Sequence, residues 1–287
     1  MNESDSIINQ QTVLFTRAAN GHFNIFYHDQ AQAVTEVLIS NNFNNWNPQI
    51  SPQRDLIAYA SNQEINYQLH LADKSGNHIK KLSNLNLAGY FNNGRGIAWS
   101  PAGDQIVFSS FDRLFRVDTS GNQQELIARA PEGRHFRHCD WSVQGTIVIE
   151  LTGDDWVDNE LLVLNEDGSD PQIILYNMPG HIEDPVYSPD GERIVIVYDE
   201  AAESSNEPNY VDADLTLLDK TGQIIYNLSL NKPENTIDLQ PNFSPDGEKI
   251  IFVNAPANDP DNKSIFIMDR DGNNRQKILD QGMMPSW

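Results

Sequence analysis

One cysteine, 19 basic residues against 41 acidic ones and no long apolar run define what the sequence is short of. Cys139 has no partner within the chain, so an intrachain disulfide framework is excluded, and its place in an expected strand reads as buried and inert. At a formal charge of −22 the chain repels the phosphate backbone that a nucleic-acid binder neutralises with Lys and Arg, so nucleic acid is not an expected partner. The longest apolar stretches resemble RIVIVY from Arg193, far short of the roughly 20 residues that cross a bilayer as a helix. Membrane insertion is therefore not expected. The first residues, MNESDSIINQ, lack the cationic start and apolar core of a signal peptide, which leaves the compartment open. Enzyme signatures are also missing: there is no Gly-x-Ser-x-Gly elbow, Walker loop, His-Glu-x-x-His or dinucleotide fingerprint. No segment shows a helical period.

What is present is a repeat. An apolar or aromatic residue precedes Ser, often Pro, then a polar pair with Gly, then an alternating β-branched run. It reads QISPQRDLIAYA from Gln49, AWSPAGDQIVFS from Ala98, DWSVQGTIVIE from Asp140, VYSPDGERIVIV from Val186 and NFSPDGEKIIFV from Asn242. The residues before the serine, Ile50, Trp99, Trp141, Tyr187 and Phe243, are spaced 49, 42, 46 and 56 apart, a period that belongs to propellers and solenoids. A second turn follows each copy, ending in Gly76, Gly121, Gly168, Gly222 or Gly272.

Each copy predicts a four-stranded antiparallel meander. Around Ser188 strand A runs over 184–187, the Ser-Pro-Asp-Gly turn follows, and strands B, C and D run over 193–197, 214–218 and 224–228. Proline presets the turn and glycine takes the left-handed conformation that closes the hairpin. One such sheet cannot bury both faces alone, so the copies must stack around an axis. Residues 283–287 match a strand A without its sequel, and residues 12–39 supply the missing strands B, C and D. One blade is thus expected to be assembled from both termini, giving an all-β, six-bladed propeller with roughly 48 residues per blade, a single domain over 12–287 and a loose tail over 1–11.

At these residues the sequence resembles the TolB-type propeller repeat, a WD40-like family whose signature is Trp-Ser-Pro-Asp-Gly before a strand and Asp-x-Asp-Gly after another. Ser188 to Gly191 and Ser244 to Gly247 match in full, and Asp269 to Gly272 matches the second signature. Gln53-Arg54 and Ala102-Gly103 depart from Asp-Gly, and Val143 replaces Pro. The resemblance implies a bacterial envelope or periplasmic setting and a protein partner. It also includes proteins with added domains, an N-terminal partner-binding domain in TolB and a hydrolase domain in prolyl peptidases, that the repeats here leave unmatched.

Propeller loops divide between two faces. The Ser-Pro and Asp-Gly turns fall on one, short and uniform; the B–C loops and D–A crossovers ring the channel mouth on the other, where a site is expected. The long B–C loops 152–160, 198–212 and 254–263 together carry 11 acids and one base, Lys263. They form an acidic arc suited to a cationic partner, or serve as solvated loops that keep a β-rich protein soluble. Asp154, Asp155, Asp199 and Glu200 are the partner-binding candidates, with Trp46, Tyr90 and Phe91 either as aromatic anchors of the same rim or as core side chains entering an inner strand. Nearer the axis Arg95, Arg137, His138, His181, Glu183, Asp184 and Asp238 converge as ligand-binding candidates for a peptide or anionic terminus, or pair with one another across blades. No catalytic residue, metal ligand or cofactor is assigned; Asp154, Asp155 and Asp158, or Asp259 and Asp261, could hold calcium, although their spacing matches no calcium loop. The expected function is a monomeric, non-catalytic propeller that binds a protein or peptide at its mouth. The alternative is a carbohydrate-active hydrolase or lyase using mouth carboxylates or a metal.

Overall fold

The structure, a computed structural model, describes residues 8–64, 66–87, 96–153, 159–202 and 210–287. They form six four-stranded antiparallel sheets, and among the described residues there is no helix and hence none able to cross a membrane. Blade one comprises β1 (Thr12–Ala19), β2 (His22–Asp29) and β3 (Val34–Ile39). Blade two is β4 (Asn45–Ile50), β5 (Leu56–Ser61), β6 (Gln68–Asp73) and β7 (His78–Lys81). Blade three is β8 (Ile97–Trp99), β9 (Gln105–Ser110), β10 (Arg113–Asp118) and β11 (Gln124–Arg129). Blade four is β12 (His135–Trp141), β13 (Thr146–Thr152), β14 (Asn159–Asn165) and β15 (Gln172–Leu175). Blade five is β16 (His181–Tyr187), β17 (Arg193–Asp199), β18 (Asp214–Asp219) and β19 (Ile224–Asn227). Blade six is β20 (Thr236–Phe243), β21 (Lys249–Pro256), β22 (Ser264–Asp269) and β23 (Gln276–Asp280). The last strand, β24 (Met283–Ser286), pairs with β1 through Leu14↔Ser286 and Thr16↔Met283 and becomes the innermost strand of blade one.

The repeated serine is explained by the turn it builds. Ser188 N–H donates to Arg193 O at 2.9 Å, Arg193 N–H donates back to Ser188 Oγ at 3.0 Å, and the Gly191 N–H closes on Ser188 O at 2.8 Å. The hydroxyl therefore caps the next strand while glycine, at φ 72°, turns the chain. The second turn needs glycine for an additional reason. At Gly222, φ 89°, an added Cβ would sit 2.0 Å from Ile174 O on the outermost strand of the preceding blade, so the turn can nest against its neighbour only without a side chain.

Between blades the core is apolar. Val195, Val197, Leu215 and Leu217 of blade five pack on Leu239, Phe243, Ile250 and Phe252 of blade six, and at the seam Val13 and Phe15 meet Ile251 and Ile265. Each such side chain contributes about 1.5–3 kcal/mol when fully buried. Polar bonds index the ring as well. The residue one before the repeated aromatic reaches the next blade: Asp140 Oδ2 accepts Tyr187 N–H at 2.7 Å, Asn242 Oδ1 accepts Trp287 N–H at 3.4 Å and Ser286 Oγ accepts Ile50 N–H at 3.3 Å. Ahead of β1, Ile8 is buried with Leu14 and Ile39, and Asn9 Nδ2 donates to Asp29 Oδ2 at 3.1 Å, so the chain packs against blade one before its first strand begins.

Removing residues 283–287 strips blade one of its inner strand and bares the apolar seam. The expected result is a melting temperature lower by about 10 °C or more, or loss of the cooperative transition, read by circular dichroism; an unchanged transition would contradict closure by β24.

Candidate functional site

Six innermost strands, β4, β8, β12, β16, β20 and β24, surround the axis. Three residues before the repeated aromatic, Asn47, Asp184, Gln240 and Met284 take φ of 48, 51, 55 and 50°, each directly before a proline. The register slips there, between Trp46 and Gln49, Glu183 and Val186, and Leu239 and Asn242, so each is a bulge that re-aims one side chain. Together with His138 they line an axial cavity of about 80 Å³, space for a few waters rather than a polymer. The x-Pro pair at this offset in four blades was a legible signal for this ring, outside the motif that defines the repeat.

Polar groups concentrate where blades four and five meet. His138 Nδ1 lies 2.9 Å from Glu150 Oε2 and 3.0 Å from Asp184 Oδ1. Burial opposes the imidazolium, but Asp184 and Glu150 outweigh it and lift the His138 pKa to about 10. Asn159 Nδ2 donates to the other Glu150 oxygen at 2.9 Å and to Ile182 O at 3.0 Å, while its Oδ1 is 3.3 Å from His181 Nδ1. His181 Nε2 in turn lies 3.3 Å from Glu183 Oε2, and the Tyr210 hydroxyl donates to Glu183 Oε1. A continuous buried network thus joins three strands of blade four to the inner strand of blade five. His138 Nε2, on the far edge of the ring, is buried without a hydrogen-bond partner among the described residues.

The ligand-binding candidates therefore separate. His138, His181, Glu183 and Asp184 come together, and Arg137 sits half-buried on the same strand as His138. Asp238 does not join them: it is fully buried, with Arg275 Nη1 at 2.8 Å on one oxygen beside Ser229 Oγ at 2.6 Å, and Asn254 Nδ2 at 2.9 Å on the other. Arg275 also covers the rings of Phe252 and Phe266, so this pair ties blade six to itself. Asp199 is likewise fully buried, one oxygen accepting the N–H groups of Val211 at 2.6 Å and Asp212 at 3.1 Å where the chain re-enters blade five. Glu200, beside it, is exposed. Trp46 is half-buried, 4.0 Å between ring centroids from Phe23, and donates Nε1–H to the Tyr67 hydroxyl at 2.6 Å. Arg95, Asp154 and Asp155, with Tyr90, Phe91 and Asp158, lie outside the described residues. Cys139 is buried and its thiol pKa is pushed up by burial.

Glu150 and Asn159 went unnoticed in the sequence. Glu150 interrupts the apolar run of β13, TIVIELT, and a charge inside a buried strand was the available clue.

Ligand atoms of His138, Glu183 and Asp184 all lie within 4.8 Å of one another, close enough to share one divalent cation. The contacts present a different state: the imidazole proton is held between two carboxylates, and a cation using Nδ1 would have to displace it. Asp259 and Asp261 are exposed on their loop, Asp261 lying 3.9 Å from Lys263.

No protein-family model matches the chain, and no curated protein sequence matches it either. Solved structures do. TolB from Acinetobacter baumannii superposes with a TM-score of 0.74 at 15% identity over 96% of this chain and 66% of that one, so the chain spans just under two thirds of that protein. A TolB-type protein from Agrobacterium tumefaciens gives 0.69 at 16% identity over 95% and 90% of the two chains. An oligogalacturonate lyase in complex with manganese gives 0.61 at 16% identity over 94% and 74%. At these identities the likeness is one of fold.

The raised His138 pKa fixes the direction of a pH effect. Stability from this imidazolium is fully present below its ordinary value near 6.5 and is lost as the pH rises through about 10. His138→Gln leaves two acids without their cation and is expected to cost about 3–5 kcal/mol at pH 7, roughly 10 °C in melting temperature. The gap to wild type should narrow as the pH approaches 10; a constant gap would show that the imidazolium does not contribute.

Proposed function

We propose that this TolB-type propeller is a non-catalytic receptor that captures a protein or peptide segment at its mouth face. The observation that carries the reading is an aromatic cluster of Phe23, Trp46 and Tyr67, each half-buried, on the face whose loops expose Glu200, Asp259 and Asp261. Rigid half-exposed aromatics are the usual anchors of an interface, and surrounding acids favour a cationic segment and speed its approach. The buried network of blades four and five supports the same reading, because it fixes the inner rim and engages its carboxylates with neighbouring groups. Such groups position a binding surface; a general base needs one free to take a proton. A chain of charge −22 is also disfavoured from pairing with its own kind, consistent with a monomer.

One observation favours a second reading, a metal-dependent carbohydrate lyase. The donor set of His138, Glu183 and Asp184 falls in a propeller whose fold is shared with an oligogalacturonate lyase that holds manganese. Here these residues would hold a divalent cation only after loss of the His138 proton.

The test is selection of cationic peptides from a displayed library by the wild-type protein, followed by affinity measurements. Trp46→Ala is expected to weaken the selected peptide by about tenfold or more, Glu200→Lys severalfold with no change in melting, and both losses should be accompanied by strong salt dependence for the wild type. Indifference to both substitutions would exclude the mouth. Release of unsaturated products from oligogalacturonate with added manganese would replace the receptor reading with the second one.

A further inference from the structure

The largest departure from the repeat lies on the opposite face. Where Gly103, Gly145, Gly191 and Gly247 take φ of 70, 78, 72 and 71°, blade two places Arg54 at φ 59°. The turn itself is conventional: Arg54 N–H donates to Ser51 O at 2.8 Å, as Gly191 N–H does to Ser188 O. A side chain in the left-handed region strains the backbone, and four other blades show that the turn does without one.

Arg54 is 9% exposed and lines a cavity of about 250 Å³ at the Ser-Pro end of the axis. Its walls are mixed: Ile50, Val186, Phe243, Pro245 and Trp287 share them with Gln10, Ser51, Asn242 and Ser244. Nη2 donates to Thr12 O at 2.9 Å, but Nε is buried with no hydrogen-bond partner among the described residues. Burial pulls the guanidinium pKa down to about 10, and no carboxylate offsets it. Two other ionisable side chains line the wall: Asp140, whose carboxyl is raised to about 6 by burial and accepts the Tyr187 N–H, and Tyr187, whose phenol is pushed up by burial. A buried cation without a counter-ion, facing a cavity that also presents apolar side chains, is half of a recognition pair.

We propose that this cavity binds a carboxylate carried on an apolar body, with Arg54 gripping the carboxylate and Ile50, Phe243 and Trp287 covering the apolar part. A planar guanidinium with unpartnered donors matches a carboxylate in geometry as well as charge. Two sources share this chemistry, a small monocarboxylic acid and the free C-terminus of a peptide that ends in an apolar residue. The site is separate from the mouth, so its fate does not depend on the receptor reading.

The experiment is calorimetric titration of the full chain with benzoate, with N-acetyl-Leu-Leu and with the amide of that dipeptide. Wild type is expected to bind at least one acid and to ignore the amide. Binding of benzoate points to a small acid, and binding of the dipeptide alone points to a chain terminus. Arg54→Gly restores the glycine of the other turns, so its melting temperature should hold or rise while affinity falls by roughly tenfold or more. Arg54→Gln, which keeps a polar side chain without the charge, should lose affinity equally. The proposal is overturned if wild type binds neither acid, if the amide binds as well as the acid, or if Arg54→Gly and Arg54→Gln bind undiminished. Absent binding together with a lower melting temperature for Arg54→Gly would assign the guanidinium to holding the Thr12 carbonyl alone.

Discussion

A sheet with apolar side chains on both faces is stable only between two others, and six such sheets satisfy that condition for each member only by forming a circle. Every other feature of the molecule follows from this constraint. It makes inter-blade contacts the core, so that Leu217 and Phe252 are buried where blades five and six meet. It demands a seam, because a linear chain has two ends, and the pairing of β1 with β24 supplies it. It also forces the inner strands towards a common axis, where space for side chains is least and where bulges before proline set which residues face the channel.

The sequence made the ring legible because its punctuation is local. Ser188, Asp190 and Gly191 lie within four positions of one another, and their hydrogen bonds form within one turn, so the pattern survives without knowledge of tertiary structure. The split blade was legible for the same reason: 283–287 ends where the motif would continue. The mouth was harder to read. Asp199 looks in sequence like a member of an acidic, solvated arc and Asp238 like a ligand group near the axis, but one caps a returning segment and the other meets Arg275, Ser229 and Asn254. Glu150 and Asn159 were hidden by the converse problem. Their meaning arises only when blades four and five are side by side, and no spacing rule brings Asn159 to His181.

Charge is distributed unevenly in depth as well as across the surface. Glu200, Asp259 and Asp261 face water and are screened there, whereas Glu150, Glu183 and Asp238 sit in surroundings where an unpaired charge costs several kcal/mol. Each is met by hydrogen-bonding partners drawn from more than one segment of the chain. Such pairs contribute little net stability over an apolar core, but they allow one arrangement of the strands and penalise slipped ones. The joint between blades four and five is fixed in this way by Glu150 and Glu183, and it borders the axial cavity.

The seam has a consequence for biosynthesis. β1 leaves the ribosome before every other strand, and its inner partner is made after all of them. Until then its backbone edge stays open and the apolar face beside Phe15 lacks its cover. Blades two to six can form as their own residues emerge, since each is contiguous in sequence, while the circle as a whole waits on a contact between the most distant parts of the chain. The nascent protein is thus an open arc whose ends stay unpaired until the last strand is made.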